Sequence, residues 1–485
     1  LNGIMNFRFI LNIFGRVLIL LGLFMLTSII WALVYNEEVV EELLVSSLIT
    51  LVSGAGMYLL TFRNLKKELG LKDSYFTVTF TWVIISLFGT LPYLLTGAIP
   101  SVVDAVFETV SGFTTTGSSI LVDLESLPKS VLFWRSLTHW IGGMGIIVLV
   151  VAILPLLRIG GYNLFKNEAS GISYEKLTPK TASTAKRLWG IYVSLTFILM
   201  GLLLLGDMSF FDAMNHAFST MSTGGFSPRN TSLGGYSSYV QYVVILFMFL
   251  AGMNFYLHYH FVKGRFRRVF SNLELRTYFG IVMAVTIGVA VIIYREGGIG
   301  IEKAIRDALF QVVSIITTTG FATYDYLSWP QEAWTLIFML MFVGACVGST
   351  GGGVKVIRHV VSFRNVTLHF SRMLHPNSVK RLKINGEIID DEKVGSLVSF
   401  LVLYLLTFTI GSIIMVLLGE DTLTAVGSVA ANMGGVGPGI GSVGPASSYA
   451  HIHETGKIVL SFLMLIGRLE LTTVLILFTS LFWER

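Results

Sequence analysis

Four short polar stretches carry the only recurrent chemistry-bearing pattern in a chain otherwise dominated by long apolar runs. They are Thr114, Thr115, Thr116 and Gly117; Ser222, Thr223, Gly224 and Gly225; Thr317, Thr318, Thr319 and Gly320; and Gly434, Gly435, Val436 and Gly437. What these residues offer is backbone carbonyls, hydroxyl oxygens without a fixed charge, and glycines that open backbone angles closed to other residues. Oxygens of this kind, set around one axis, can replace the hydration shell of a monovalent cation. The fourth stretch has no threonine, so that side offers backbone oxygens only.

The elements that must position these stretches lie in a membrane. Of 485 residues, 53% are hydrophobic and 13% charged, with a mean hydropathy of +0.74, far from the balance of a soluble globular chain. Apolar runs of about the 20 residues a helix needs to cross a bilayer fall near 9–34, 43–62, 75–97, 131–157, 188–206, 237–262, 277–294, 331–361, 396–418 and 456–482, which predicts ten crossings. The first follows Arg8 and Arg16 but is too long for a secretory signal and lacks a small-residue cleavage site. The connections at 63–74, 158–187, 263–276 and 355–393 hold 4, 6, 5 and 8 Lys or Arg, 23 of the 34 in the chain. Ten alternating crossings put all four on one side, which the positive-inside rule makes cytoplasmic, together with both termini. The acidic turn Asn36–Glu42 then faces out.

Between crossings lie four segments of about a dozen residues, too short to span, after the third, fifth, seventh and ninth runs. They read "DAVFETVSGFTTTGS" from Asp104, "DAMNHAFSTMSTGGF" from Asp212, "DALFQVVSIITTTGF" from Asp307 and "TAVGSVAANMGGVGP" from Thr424. In each, an alanine stands twelve residues before a glycine: Ala105 and Gly117, Ala213 and Gly225, Ala308 and Gly320, Ala425 and Gly437. Recurrence at intervals of 108, 95 and 117 residues marks an internally repeated architecture of span, re-entrant helix, polar strip and span. Non-helical backbone is tolerated at membrane depth only where protein buries it or where it lines a wet cavity. Four equivalent strips on the external side therefore predict one shared central passage.

Each short helix points its C-terminal, partially negative end at that passage. Its N-terminal end needs a cap: Ser101 with Asp104 and Ser209 with Asp212 are spaced as capping boxes, and Asp421 is placed to cap the fourth. These acids are expected to stabilise helix ends rather than to touch an ion.

Two further intramembrane features stand out. Val343–Lys355 reads "VGACVGSTGGGVK", and Gly348, Ser349, Thr350, Gly351, Gly352 and Gly353 should break the span, since each glycine costs about 1 kcal/mol in a helix. A phosphate-binding loop does not fit, because Val354 follows Gly353 and Lys355 comes one place late. Flexible packing at a kink or a gate beneath the strips both remain. Milder breaks are expected at Gly142, Gly143, Gly145 and Gly252. The second feature is Arg468, near the middle of the last span, where a charge costs at least about 2.5 to 3.5 kcal/mol. Glu470 lies on nearly the opposite face, leaving either an acid on another span or a place beside the passage for Arg468.

Other classes fare poorly. The single Cys346 excludes an intrachain disulfide, and His258 with His260, and His451 with His453, lack the carboxylates a metal site would add. A membrane enzyme would need acid, base or metal residues converging on one pocket, and none converge here. A proton- or sodium-coupled symporter needs titratable groups in the spans, for which Glu470 is the main candidate. The "KGRFRR" run at Lys263–Arg268 and the basic loop through Lys393 suit topology and anionic headgroups; nothing suggests nucleic acid.

The set of four units with their strips, after an extra pair of spans, resembles the Trk/Ktr/HKT superfamily of potassium transporters, closest to the bacterial TrkH-type pore subunit, over essentially the whole chain. The resemblance implies an all-α polytopic membrane protein with four pseudo-symmetric units around one pore: a helix pair at 1–72 and units at 73–160, 161–268, 269–365 and 366–485. It implies a selectivity filter of Thr114–Gly117, Ser222–Gly225, Thr317–Gly320 and Gly434–Gly437, potassium-favouring because all four final glycines are present. It also implies that the loop at Gly348–Gly353 obstructs the ion path as a gate and that Arg468 stands near the pore below the filter. Gated uptake of potassium or rubidium over sodium and lithium is the expected activity, with no cofactor, in a bacterial inner membrane. A homodimer and a cytosolic nucleotide-binding ring of the TrkA type are the expected partners.

Overall fold

The computed structural model describes residues 5–62, 70–145, 181–377 and 381–484. Helices dominate these residues; their only sheet is a short antiparallel ladder of Lys383–Ile384 and Glu387–Ile388. Six helices are long and apolar enough to cross a membrane alone: Phe7–Val34, Val40–Thr61, Lys72–Leu95, Ala185–Leu204, Leu273–Arg295 and Asp391–Leu417. Two bent pairs are long and apolar enough when each is taken together, Ser238–Ala251 with Phe255–Val262 at 102° and Glu454–Leu469 with Leu471–Phe478 at 115°. Of the other two expected runs, 131–157 starts as Lys129–Gly143 and continues outside the described residues, as do most of the basic connections at 63–74 and 158–187. The run at 331–361 is helix only over Gln331–Leu340, and helix resumes at Val356–Leu374, which runs through residue 365.

The first two helices pack through small residues. A Cβ on Gly15 would lie 2.7 Å from the Gly54 carbonyl oxygen, and one on Gly54 would lie 2.8 Å from that of Gly15. Such close backbone approach is how helices associate where lipid removes the hydrophobic drive between them. Asn12 Nδ2 donates to Thr61 Oγ1 across the pair at 3.0 Å. The turn after the first helix then fixes the pair to the first repeated unit: Glu37 accepts the Ser130 amide at 3.2 Å and the Lys129 amide, at the N-terminus of Lys129–Gly143, where a carboxylate meets the favourable end of the helix dipole.

Four short helices follow their long spans at Val102–Thr114, Phe210–Met221, Ile301–Ile316 and Thr422–Gly434. The repeated alanines Ala105, Ala213, Ala308 and Ala425 are each fully buried, so a larger side chain has no room at these positions. Ser101 and Ser209 accept from the amides of Asp104 and Asp212, and Asp421 accepts from those of Leu423 and Thr424 at 3.1 Å each. Hydrogen bonds from Thr424 hold the Asp421 carboxyl below its usual range. The carboxylates of the acids at the third position reach other elements. Asp104 pairs with Lys457 at 2.6 Å, and Asp212 pairs with Arg229 at 2.8 Å while accepting from the Tyr236 hydroxyl. The third helix differs: it begins earlier, at Ile301, with Gly300 at the N-cap and no side-chain cap, and leaves Asp307 in its second turn.

The breaks in the second spans satisfy one another. Where the bent pair of the second unit turns, the carbonyls of Gly252 and Ala251 accept from the amides of Cys346 and Thr350 at 3.0 and 3.4 Å, and the Phe255 amide donates to Gly348 at 2.9 Å. Backbone groups freed from two helices thus pair across units instead of facing lipid, which is the condition for irregular chain at this depth.

Candidate functional site

All four short helices end in one repeated geometry. The amides of Thr116, Gly224, Thr319 and Val436 each reach back to the carbonyl five residues earlier, at 2.8 to 2.9 Å, closing the helix with a Schellman-type bond. The residues just before them, Thr115, Thr223, Thr318 and Gly435, have φ of 55°, 55°, 59° and 71°. Two places on, Gly117, Gly225, Gly320 and Gly437 have φ of 84°, 83°, 78° and 91°. A β-branched residue at positive φ is strained, and three threonines holding it in equivalent positions is a mark of a functional backbone.

The strips face one another in a closed order. A Cβ on Gly117 would collide with the carbonyl oxygen of Gly224, one on Gly225 with that of Thr319, one on Gly320 with that of Val436, and one on Gly437 would lie 2.7 Å from that of Thr116. Each glycine is therefore covered by a carbonyl from the next unit, and the fourth unit returns to the first. Among the described residues, the carbonyls of Thr115, Thr116, Gly224, Thr318, Thr319, Gly435 and Val436 accept no hydrogen bond. The capping bonds consume amides and leave these oxygens to the ring. Threonine hydroxyls at its base are tied locally: Thr114 and Thr317 bond to Val110 and Val313 carbonyls and to the hydroxyls of Thr116 and Thr319 at 2.8 and 2.7 Å.

At the last residues of the strips a cavity of about 210 Å³ is lined by Gly117, Gly225, Gly320 and Gly437 together. At their first residues stands the loop between Leu340 and Val356. A Cβ on Gly352 would lie 2.7 Å from the Gly434 carbonyl oxygen and one on Gly351 2.9 Å from that of Thr317. The Gly352 amide donates to Thr318 Oγ1 at 2.7 Å, and Thr350 Oγ1 donates to the Met221 carbonyl at 3.0 Å. The loop thus touches the second, third and fourth units directly beneath the ring. Beyond it lies a second cavity, of about 130 Å³, lined by Gly348, Ser349, Gly351–Gly353, Lys355, Arg468 and Glu470 among others.

Arg468 joins this loop to the first unit. Its Nη1 donates to the Thr350 carbonyl at 2.7 Å and its Nη2 to those of Gly142 and Gly143 at 2.7 and 2.9 Å. Glu470 is not its partner: that carboxylate pairs with Arg358 at 2.8 Å, and the Arg358 guanidinium lies 3.7 Å over the Phe400 ring.

Sequence reasoning missed the structural roles of three residues. Lys355, read as the start of a basic surface loop, is buried and donates to the carbonyls of Gly351 and Gly352. Glu274 is buried and accepts the amides of Val347 at 2.8 Å and Ile357 at 3.3 Å, one on each flank of the glycine-rich segment. Glu470 sits at the bend of the last span with φ of 62°, where no break was expected. The one available sign was Arg468 with Glu470 two residues apart, since a straight helix could not turn both inward. The histidines serve structure: His258 bonds the Leu250 carbonyl, His451 the Ser442 hydroxyl, and His453 accepts the Thr455 amide. Among the described residues no cluster of three or more metal-ligating side chains occurs.

Repeated spans enclosing one ring of backbone oxygens, with a cavity on either side, define a multi-pass membrane protein of transport type rather than an enzyme. The family model TrkH, described as cation transport protein, matches residues 42–292 and 297–484, and the chain belongs to that family. It is 36% identical to the Trk system potassium uptake protein TrkH of Halomonas elongata over 487 residues, 99% of this chain and all of that one. The protein of the same name from Escherichia coli K12 is 35% identical over 485 residues, with the same coverage of both. The crystal structure of the potassium transporter TrkH from Vibrio parahaemolyticus matches with a TM-score of 0.89 at 35% identity, covering 99% of this chain and all of that chain.

Proposed function

We propose that the chain is a potassium-selective, gated uptake pore. Thr114–Gly117, Ser222–Gly225, Thr317–Gly320 and Gly434–Gly437 form its selectivity filter, and Gly348–Gly353 with Arg468 forms its gate. The observation that carries this reading is the closed ring, in which each final glycine is covered by a carbonyl of the next unit. Carbonyls that accept nothing from the protein can exchange for the water of an alkali ion, and their spacing sets which ion is compensated best. A side chain at any of the four glycines would displace that spacing. The loop supports a gate because it stands against the first residues of the third and fourth strips and the Met221 carbonyl just before the second, and is pinned from below by Arg468. The guanidinium adds a positive charge on the cavity wall, an electrostatic barrier to cations while the loop is closed.

Relatives named for potassium uptake support the choice of ion. The basic connections support an inner-membrane protein with both termini in the cytoplasm. Family likeness supports a homodimer and a TrkA-type ring acting on the cytoplasmic side. The test is flux from the purified chain in liposomes: rubidium uptake should exceed sodium and lithium uptake, and equal uptake of the three would overturn the selectivity claim.

A further inference from the structure

The fourth strip is built unlike the other three at its last residue. After Gly117, Gly225 and Gly320 come Ser118, Phe226 and Phe321, each with an amide; after Gly437 comes Pro438, which has none. The Gly437–Pro438 peptide therefore has no donor of its own to fix its plane. Side chains supply that constraint instead. Tyr449 Oη donates to the Gly437 carbonyl at 2.7 Å, and Ser118 Oγ, bonded to Asn432 Oδ1 at 2.8 Å, lies 3.2 Å from the same oxygen. Among the described residues the carbonyls of Gly117, Gly225 and Gly320 receive no such donor.

Tyr449 is well placed to hold a peptide still. It is buried, its ring lies 5.5 Å from that of Phe107, and its own amide donates to the Ser119 carbonyl at 2.9 Å, so both ends of the residue are fixed to the first unit. Ser118 directly follows the first strip. The two hydroxyls thus close the seam between the fourth and first units at the level of the ring glycines, where Gly437 already lies against Thr116.

We propose that Tyr449, assisted by Ser118, is a positioning residue for ion selectivity, which orients the Gly437 carbonyl and sets the size of the ring on its one side without a peptide donor. The assignment rests on the filter reading above. With the hydroxyl gone, the Gly437 peptide gains freedom to rotate, and the ring loses its bias against the smaller, more tightly hydrated sodium ion. Tyr449→Phe removes one oxygen and keeps the ring packing. Its rubidium-to-sodium uptake ratio in liposomes should fall about fivefold, the equivalent of one hydrogen bond, with rubidium uptake retained. Ser118→Ala should shift the ratio the same way by less. Gly320→Ser measured beside them separates the two readings. If that variant changes the ratio while both hydroxyl deletions leave it at the wild-type value, the role of Tyr449 is overturned and the filter stands. If none of the three changes it, the filter reading fails and takes this one with it. Loss of both fluxes in equal proportion, in protein that elutes like the wild type, also counts against positioning.

Discussion

Thr318 and Gly352 join the ring to the loop beneath it through one hydrogen bond, 2.7 Å from the Gly352 amide to the threonine hydroxyl. Thr318 holds φ of 59° to make it, the backbone angle its unit needs to turn into the strip. The same residue thus shapes the proposed filter and holds the proposed gate, which couples the two positions physically. Thr318→Ala removes the hydroxyl, and since such a bond contributes about 1 kcal/mol, basal rubidium flux should rise about fivefold. Thr318→Ser keeps the donor's partner and should restore the low flux. Equal flux from both variants would show that the contact does not hold the loop.

Gly320 combines positive φ with a covering carbonyl. A Cβ there would meet the Val436 oxygen and lie 2.8 Å from Pro438 Cδ. Both contacts belong to backbone or proline ring, which cannot swing aside, so the fourth strip must shift. Gly320→Ser should therefore reduce the rubidium-to-sodium uptake ratio on the order of tenfold, because the carbonyl spacing that compensates a larger ion is lost. A variant that folds and retains the wild-type ratio would place the selective step elsewhere.

Among the described residues, the Arg468 guanidinium donates to three carbonyl oxygens, from Thr350 on one arm and Gly142 and Gly143 on the other. A fork of this shape bridges two elements as a single ammonium cannot. Arg468→Ala frees the loop and removes the charge, and basal flux should rise roughly tenfold or more, given the strength of charge-assisted bonds. Arg468→Lys keeps the charge but not the bridge. Its flux, measured in the same liposomes, should fall between the two if both parts of the barrier matter.

Much of this architecture was legible because its signals are local and repeated. A run of apolar residues long enough to span is read directly, and the fixed distance from Ala105, Ala213, Ala308 and Ala425 to their glycines reflects one helix-and-strip geometry imposed four times. The glycines at 348 and 351–353 announced a broken span because a helix cannot hold them. What was illegible depends on partners far apart in the chain. Glu470 bends the last span with no glycine or proline at its own position, and its reason is Arg358, on another unit. Lys355 continues a basic series in sequence, yet the loop folds it back onto its own carbonyls. Asp104 and Asp212 sat at capping positions, which concealed their pairing with Lys457 and Arg229.

Glu274 shows the same concealment and leads to a further test. In sequence it is an acid in the first turn of a span, where the helix dipole alone accounts for it. In the fold one oxygen, Oε1, accepts from Val347 and from Ile357, bracketing the segment proposed as the gate. Any movement of that segment that changes the distance between its flanks must break one of these bonds or carry Glu274 along. The carboxylate also lines a cavity of about 470 Å³ shared with Arg268, Asn385 and Lys393, so the pin is reached from the side bearing the basic connections. Glu274→Gln keeps the shape but offers a neutral oxygen to the two amides, and neutral bonds are roughly half as strong as charge-assisted ones. Basal rubidium flux should rise about threefold to tenfold on that account, with the rubidium-to-sodium ratio unchanged because the ring is not touched. A change in selectivity without a change in basal flux would show that Glu274 acts on the filter and not on the loop.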